Sequence, residues 1–256
     1  MRTSWARLTL AAVAAAFPAE RGMAEDRERR VLVVVAHPDN ELFFAPALAM
    51  EARQGARVSI AYATQGEAGP GVSGMEKGAK LGRTRLAEAL CASGALGLDM
   101  PMFFDFGDGR LTDRPQDANS AALRLKQALE RALSAERPDL VITWGPDGGY
   151  SNGDHRMVSA IVSQVVQAMP AGLRPELLYP GIPTGNVPDM PELRGWAETD
   201  AALLTERYTY NRDDLARAVA ATQCHKTQFD DAQRAGLVPL FDQAIWRGVV
   251  GFRKGL

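Results

Sequence analysis

The chain has 256 residues, which suits one large domain and leaves little room for two. A hydrophobic content of 46% allows a sizeable core. A formal net charge of -2 excludes a globally basic surface of the kind that draws nucleic acid or anionic membrane.

The first residues read as a targeting segment. Arg2 and Arg7 flank the start of an apolar run, Leu8–Phe17, too short to span a bilayer, and small residues follow. This is the pattern of a secretory signal peptide cleaved after about Ala16 or Ala24, with a retained amphipathic helix as the alternative. Residues 1–24 are therefore set apart from a single domain at 25–256, and the expected location is periplasmic or extracellular.

From there apolar runs alternate with helical patterns. Val31–Ala36 is a short, continuous, β-rich run, as expected of a strand buried on both faces. Pro46–Arg53 reads as a helix with proline in its first turn and Gly55 as its stop. Val58–Ala63 predicts a second strand, and the glycine-rich stretch Gln65–Lys80 a long loop. Arg83–Leu96 predicts a helix, Met102–Phe106 a strand, Ala121–Leu133 a helix, Leu140–Trp144 a strand and His155–Met169 a helix. Leu177–Tyr179 adds a further strand, Pro180–Trp196 a proline-rich loop, and about 211–249 a mostly helical tail. Alternating strands and helices imply parallel pairing with right-handed crossovers. The expected fold is α/β, a Rossmann-like doubly wound, mostly parallel sheet in a single domain.

In open α/β sheets ligands bind beyond the carboxyl ends of the strands. His37, Asp39 and Asn40 directly follow the first strand. Asp154 and His155 follow the Leu140–Trp144 strand after a glycine-rich turn, so both groups fall on one edge. Imidazoles with oxygen donors and an open position fit a catalytic metal site better than a structural one. Helix capping by Asp39, Asn40 or Asp154 accounts for the same residue types, and both readings stay open on spacing alone. The first strand is not followed by G-x-G-x-x-G, and no phosphate-binding G-x-x-x-x-G-K-[ST] occurs. Cys91 and Cys224 permit one disulfide, but their spacing does not show that they meet.

Six segments in order carry a resemblance. Ala36-His37-Pro38-Asp39-Asn40-Glu41 resembles the AHPDDE motif of the PIG-L/LmbE-like zinc-dependent N-deacetylases. Thr64-Gln65-Gly66 resembles that family's TDG, and Arg85–Glu88 its R-x-x-E helix. Phe104–Leu111 is similar to its acidic turn. Pro138–Thr143 with Asp154-His155 is similar to its strand and HPDH block, and Cys224–Gln228 to its late H-x-[ST]-Q segment. The resemblance spans roughly residues 30 to 230. It implies a zinc or other divalent metal held by His37, Asn40 and His155, and Asp39 as general base toward a metal-bound water. Arg85 would face the substrate and Asp154 would orient the site. The substrate would be an N-acetylated sugar or glycoconjugate.

Two departures bear on activity. Asn40 stands where the family has a ligating aspartate, and Asn152 where it has the first histidine of HPDH. A neutral amide at 40 weakens metal binding, and Asn152 can donate to an oxyanion but cannot act as a general acid. The expected activity is N-deacetylation. The alternative is a catalytically degenerate relative that binds an acetylated glycan without hydrolysing it.

Overall fold

The computed structural model describes residues 27–256, so the expected signal peptide lies outside the described residues. In chain order the elements are β1 (Arg30–Val35), α1 (Ala45–Arg53, entered through a 3-10 turn at Asn40–Phe44), β2 (Arg57–Tyr62), α2 (Ala79–Leu96), β3 (Met102–Phe103), α3 (Ala121–Glu136) and β4 (Leu140–Ile142). After these come the single turn α4 (Gly148–Ser151), α5 (Gly153–Ala168), β5 (Glu176–Pro180), β6 (Ile182–Pro183), β7 (Glu198–Thr199), β8 (Glu206–Thr209), α6 (Arg212–Thr222), α7 (Asp231–Leu240) and β9 (Val249–Lys254).

Seven strands form one sheet in the order β3-β2-β1-β4-β5-β9-β8. The five at the β3 side pair in parallel. β9 pairs antiparallel with both β5 and β8. The run at 31–36 shows why the centre holds. Val31, Val33 and Val35 enter the core on one face, with α1, α2 and α6, while Leu32, Val34 and Ala36 enter the core on the other, with α3 and α5. Every side chain of that run is buried. At about 25 cal/mol per Å² of apolar surface, such two-sided strands supply the largest favourable contribution to the fold.

Two elements differ from expectation. The third strand is cut to two residues; the Phe104 and Phe106 amides still donate to the Tyr62 and Ala63 carbonyls before the chain enters the acidic turn. The tail is helical only to Trp246. The six residues Val249–Lys254 then form β9, whose burial alternates as a half-covered edge-side strand demands. Among the described residues no helix is long and apolar enough to cross a membrane.

The strands after β1 step outward through β2 to β3, and those after β4 step the other way to β5. The switch point lies between β1 and β4, where such a fold opens a crevice. The two cysteines do meet. Cys91 on α2 and Cys224 just after α6 form a disulfide with Cα atoms 5.8 Å apart.

Candidate active site

His37 leaves β1 and His155 enters α5 at this switch point, and their rings approach each other. His37 Nδ1 lies 3.1 Å from His155 Nε2. The other nitrogen of each ring is engaged. His37 Nε2 lies 3.0 Å from Asp108 Oδ1 and 3.4 Å from Asp154 Oδ2. His155 Nδ1 donates to the Gly148 carbonyl at 3.1 Å. Those partners fix the tautomers. Both facing nitrogens therefore present lone pairs to one point, and something positive must lie between them.

In the metal-free protein that charge is a proton. Burial pushes His37 down, but the bonds to Asp108 and Asp154 outweigh it and raise it to about 9. Burial, reinforced by the charge on His37, lowers His155 to about 3. A divalent metal fits the same place, because two nitrogens about 2.0–2.1 Å from a tetrahedral metal sit about 3.3 Å apart. His37, Asp108 and Asp154 also form a potential cation-binding group around Nε2. There, however, Asp154 already accepts from the Gly109 and Leu111 amides, and Asp108 from the Ala68 amide. These carboxylates serve best as supports for the imidazole.

Asp39 sits beside the pair in a left-handed backbone conformation, φ 97°, which costs a non-glycine residue energy and needs enforcement. Its amide donates to Glu41 Oε2 at 3.0 Å. Its Oδ2 accepts from Arg85 Nη2 at 2.9 Å and its Oδ1 from Asn40 Nδ2 at 3.0 Å. Burial raises the Asp39 carboxyl above its ordinary value, with Arg85 opposing.

The structure brings His37, Asp39, Asn40, Asp154 and His155 together, but engages Asn40 and Arg85 in contacts other than those the resemblance implies and gives Asn152 an additional one. The Asn40 oxygen accepts from the His37 amide at 3.1 Å and from the Trp144 indole at 3.4 Å. Turning the amide over would set N–H against N–H, so its nitrogen, not its oxygen, faces the site. Arg85 is spent on Asp39 and on the carbonyls of Pro38, Gly66 and Gly69, and is 3% exposed. It holds the loop and the acid rather than facing open space. The Asn152 oxygen caps α5, accepting from the Asp154 and His155 amides.

Sequence reasoning missed the aromatic wall. Trp144 stacks on His155 at 5.0 Å, and Tyr150 meets the same ring edge-on at 5.0 Å. Tyr150 also packs against Trp196 of the proline-rich loop. The end position of Trp144 in its apolar run was the available signal.

Behind Asp39, Glu41 and His225 form a fully buried pair at 2.6 Å. Burial pushes Glu41 up and His225 down, but each partner overturns this, so Glu41 ends lowered and His225 raised. Their contribution to stability is complete between the ordinary glutamate and histidine values, 4.5 and 6.5. It is lost as pH falls through the folded value of Glu41, and as pH rises through that of His225. His225→Gln is expected to remove the alkaline loss and, by stranding Glu41, to cost about 3–5 kcal/mol near pH 6. Urea midpoints from pH 5 to 9 measure both effects.

The family model described as PIG-L, GlcNAc-PI de-N-acetylase, matches residues 32–166, just over half of the chain. A 1D-myo-inositol 2-acetamido-2-deoxy-alpha-D-glucopyranoside deacetylase of Rhodococcus erythropolis is 35% identical over 167 residues, 58% of this chain and 56% of that protein. The chain thus spans a little over half the length of that relative. The protein so named in Corynebacterium urealyticum is 30% identical over 240 residues, covering 78% of this chain and 71% of its own. Among solved structures, N,N'-diacetylchitobiose deacetylase from Pyrococcus horikoshii superposes with a TM-score of 0.65 at 18% identity, covering 88% of this chain and 83% of that one. A 4-carboxy-2-hydroxymuconate hydratase from Pseudomonas putida does so with a TM-score of 0.62 at 18% identity, covering 89% and 96%. These last two likenesses show the shared fold, which hosts more than one chemistry.

Proposed function

The chain belongs to the PIG-L family, and from that premise we propose that it is a divalent-metal-dependent amide hydrolase acting on an N-acylated amino sugar, with N-acetyl the simplest case. One observation carries this reading: two imidazole nitrogens with committed tautomers face each other 3.1 Å apart beside a buried carboxylate. Zinc is the metal proposed, held by His37 and His155. When bound, the metal supplies positive charge that polarises the amide carbonyl and acidifies water.

The chain's own residues supply the rest. Asp39 accepts a proton as water adds to the carbonyl carbon, then returns it to the nitrogen as the C–N bond breaks, leaving a free amine and a carboxylic acid. Arg85 keeps the carboxylate aimed and favours its anionic form before the first step. Asp108 and Asp154 hold the His37 ring. The amide nitrogen of Asn152 is the proposed donor to the oxyanion, its oxygen being used by the helix cap.

A second reading rests on Asn40. Its inward-facing N–H repels a cation, which favours a protein that binds an acylated glycan but holds metal too weakly to hydrolyse it. Metal analysis after dialysis against zinc, with amine release from N-acetylglucosamine compounds in the same sample, decides. No bound metal and no amine would sink the hydrolase. Asn40→Asp sets a carboxylate oxygen near Asp39 Oδ1, a clash that a cation relieves. Zinc affinity is expected to rise about 10-fold or more, read by competition with a chelator. An unchanged affinity would mean that position 40 does not reach the metal.

Export is the proposed destination, from the segment at residues 2–24 and supported by the disulfide. N-terminal sequencing of the secreted protein tests it.

A further inference from the structure

A chamber of about 280 Å³ opens directly on Asp39 and Asn40. Its walls are Leu42 and Phe43 from the turn before α1, Trp144 after β4, and Phe229, Leu237 and Phe241 around α7, with Tyr150 and Trp196 at one side. The rings form a continuous cluster, Phe43 lying 4.9 Å from Trp144, 5.3 Å from Trp196 and 5.9 Å from Phe241. Beyond the two floor residues the polar groups are Glu192, exposed at the rim, the Tyr150 hydroxyl, the Trp196 indole, the Trp144 indole, which donates to Asn40, and Gln228, whose amide nitrogen is tied to the Gly69 carbonyl at 2.7 Å.

We infer that this chamber takes the acyl part of the substrate and that the preferred substrates carry an apolar acyl chain longer than acetyl. The inference rests on the amide-hydrolase reading and deepens it. An amide at Asp39 has two sides. The sugar side carries hydroxyls, which lose free energy wherever they are buried without partners. The chamber offers them few, set among aromatic rings. The acyl group is the one apolar substituent joined directly to the reacting carbon, so it is the part that reaches an apolar space opening at Asp39. An acetyl methyl is about the size of one water, whose share of volume is about 30 Å³. The chamber is several times larger, and an acetyl group alone would leave most of it wet and its aromatic lining uncovered.

Zinc-loaded protein is assayed with N-acetyl-, N-butyryl-, N-hexanoyl- and N-octanoylglucosamine, following amine release. Binding of the same compounds is measured by calorimetry, which reads the chamber whether or not turnover occurs. The expected result is a kcat/KM, and an affinity, at least tenfold higher for hexanoyl than for acetyl. The octyl glycoside of N-acetylglucosamine serves as the control and should gain less than the acyl series. Leu237→Gln, at the partly exposed mouth, should cut the hexanoyl-to-acetyl ratio severalfold. Acetyl preferred over longer acyl groups in both readouts would overturn the inference, as would a larger gain from the octyl aglycone or a ratio unmoved by Leu237→Gln. Cleavage confined to the acetyl compound would do so while leaving the hydrolase reading intact. No cleavage of any compound, with affinity still rising along the series, would remove the hydrolase and keep the chamber's assignment.

Discussion

Asp39→Asn is expected to lower kcat by a factor of about 10² to 10⁴ while zinc content stays the same. That range is what one positioned proton-transfer group contributes. The substitution keeps shape and removes only the ability to take and return a proton. The site is built around that ability. A left-handed backbone turns the side chain inward, Glu41 fixes the amide, and Arg85 and Asn40 occupy one oxygen each. Among the described residues at the site no comparable carboxylate is free, since Asp154 is bound by two backbone amides and Asp108 by one amide and the His37 ring. The variant also leaves Arg85 buried without a counter-charge, so a fall in stability of a few kcal/mol is expected. Steady-state kinetics at saturating substrate, metal analysis and a thermal melt separate the three effects. A kcat within a fewfold of the parent, with metal bound, would place the base elsewhere.

Breaking the Cys91–Cys224 bond is expected to destabilise the protein by about 5 kcal/mol. The two residues are 133 apart, and the loop-entropy relation gives roughly this value for a closure of that length. For a domain of this size that loss lowers the melting midpoint by about 10–20 °C. Melts with and without a dithiol reductant, and of Cys91→Ser with Cys224→Ser, provide the measurement. The double variant should melt low and ignore the reductant. A midpoint shift of only a degree or two would show that the contacts between α2 and α6 hold this region unaided. The position adds a second expectation. Cys224 immediately precedes His225, the partner of Glu41, and Thr227, which donates twice to Glu88 on α2. Reduced protein should therefore lose activity below the temperature at which it unfolds.

Much of the fold was legible because its central strands are apolar on both faces. Val31–Ala36 admits no other assignment once each of its side chains must be covered. β9 escaped because Val-Val-Gly-Phe-Arg-Lys is short, and its alternation is masked by the helical residues before it. The elements of the site were legible from their places after β1 and before α5. What spacing could not give was which atom of each side chain faces inward. The orientation of Asn40 depends on Trp144, more than a hundred residues away, and the burial of Arg85 on the carbonyls of a loop. The aromatic chamber was invisible for the same reason, being assembled from segments near residues 43, 144, 196 and 240 that no local pattern connects.

The late strand β9 has a consequence for biosynthesis. Arg253 reaches from it to Asp147, and Asp147 caps the turn that presents the Gly148 carbonyl to His155. The residues that set the tautomer of His155 are thus braced by a strand that leaves the ribosome about a hundred residues after them. That strand also seats between β5 and β8, so the sheet gains its last two members together. A nascent chain therefore carries both histidines before the strand that braces the partner of His155 has been made.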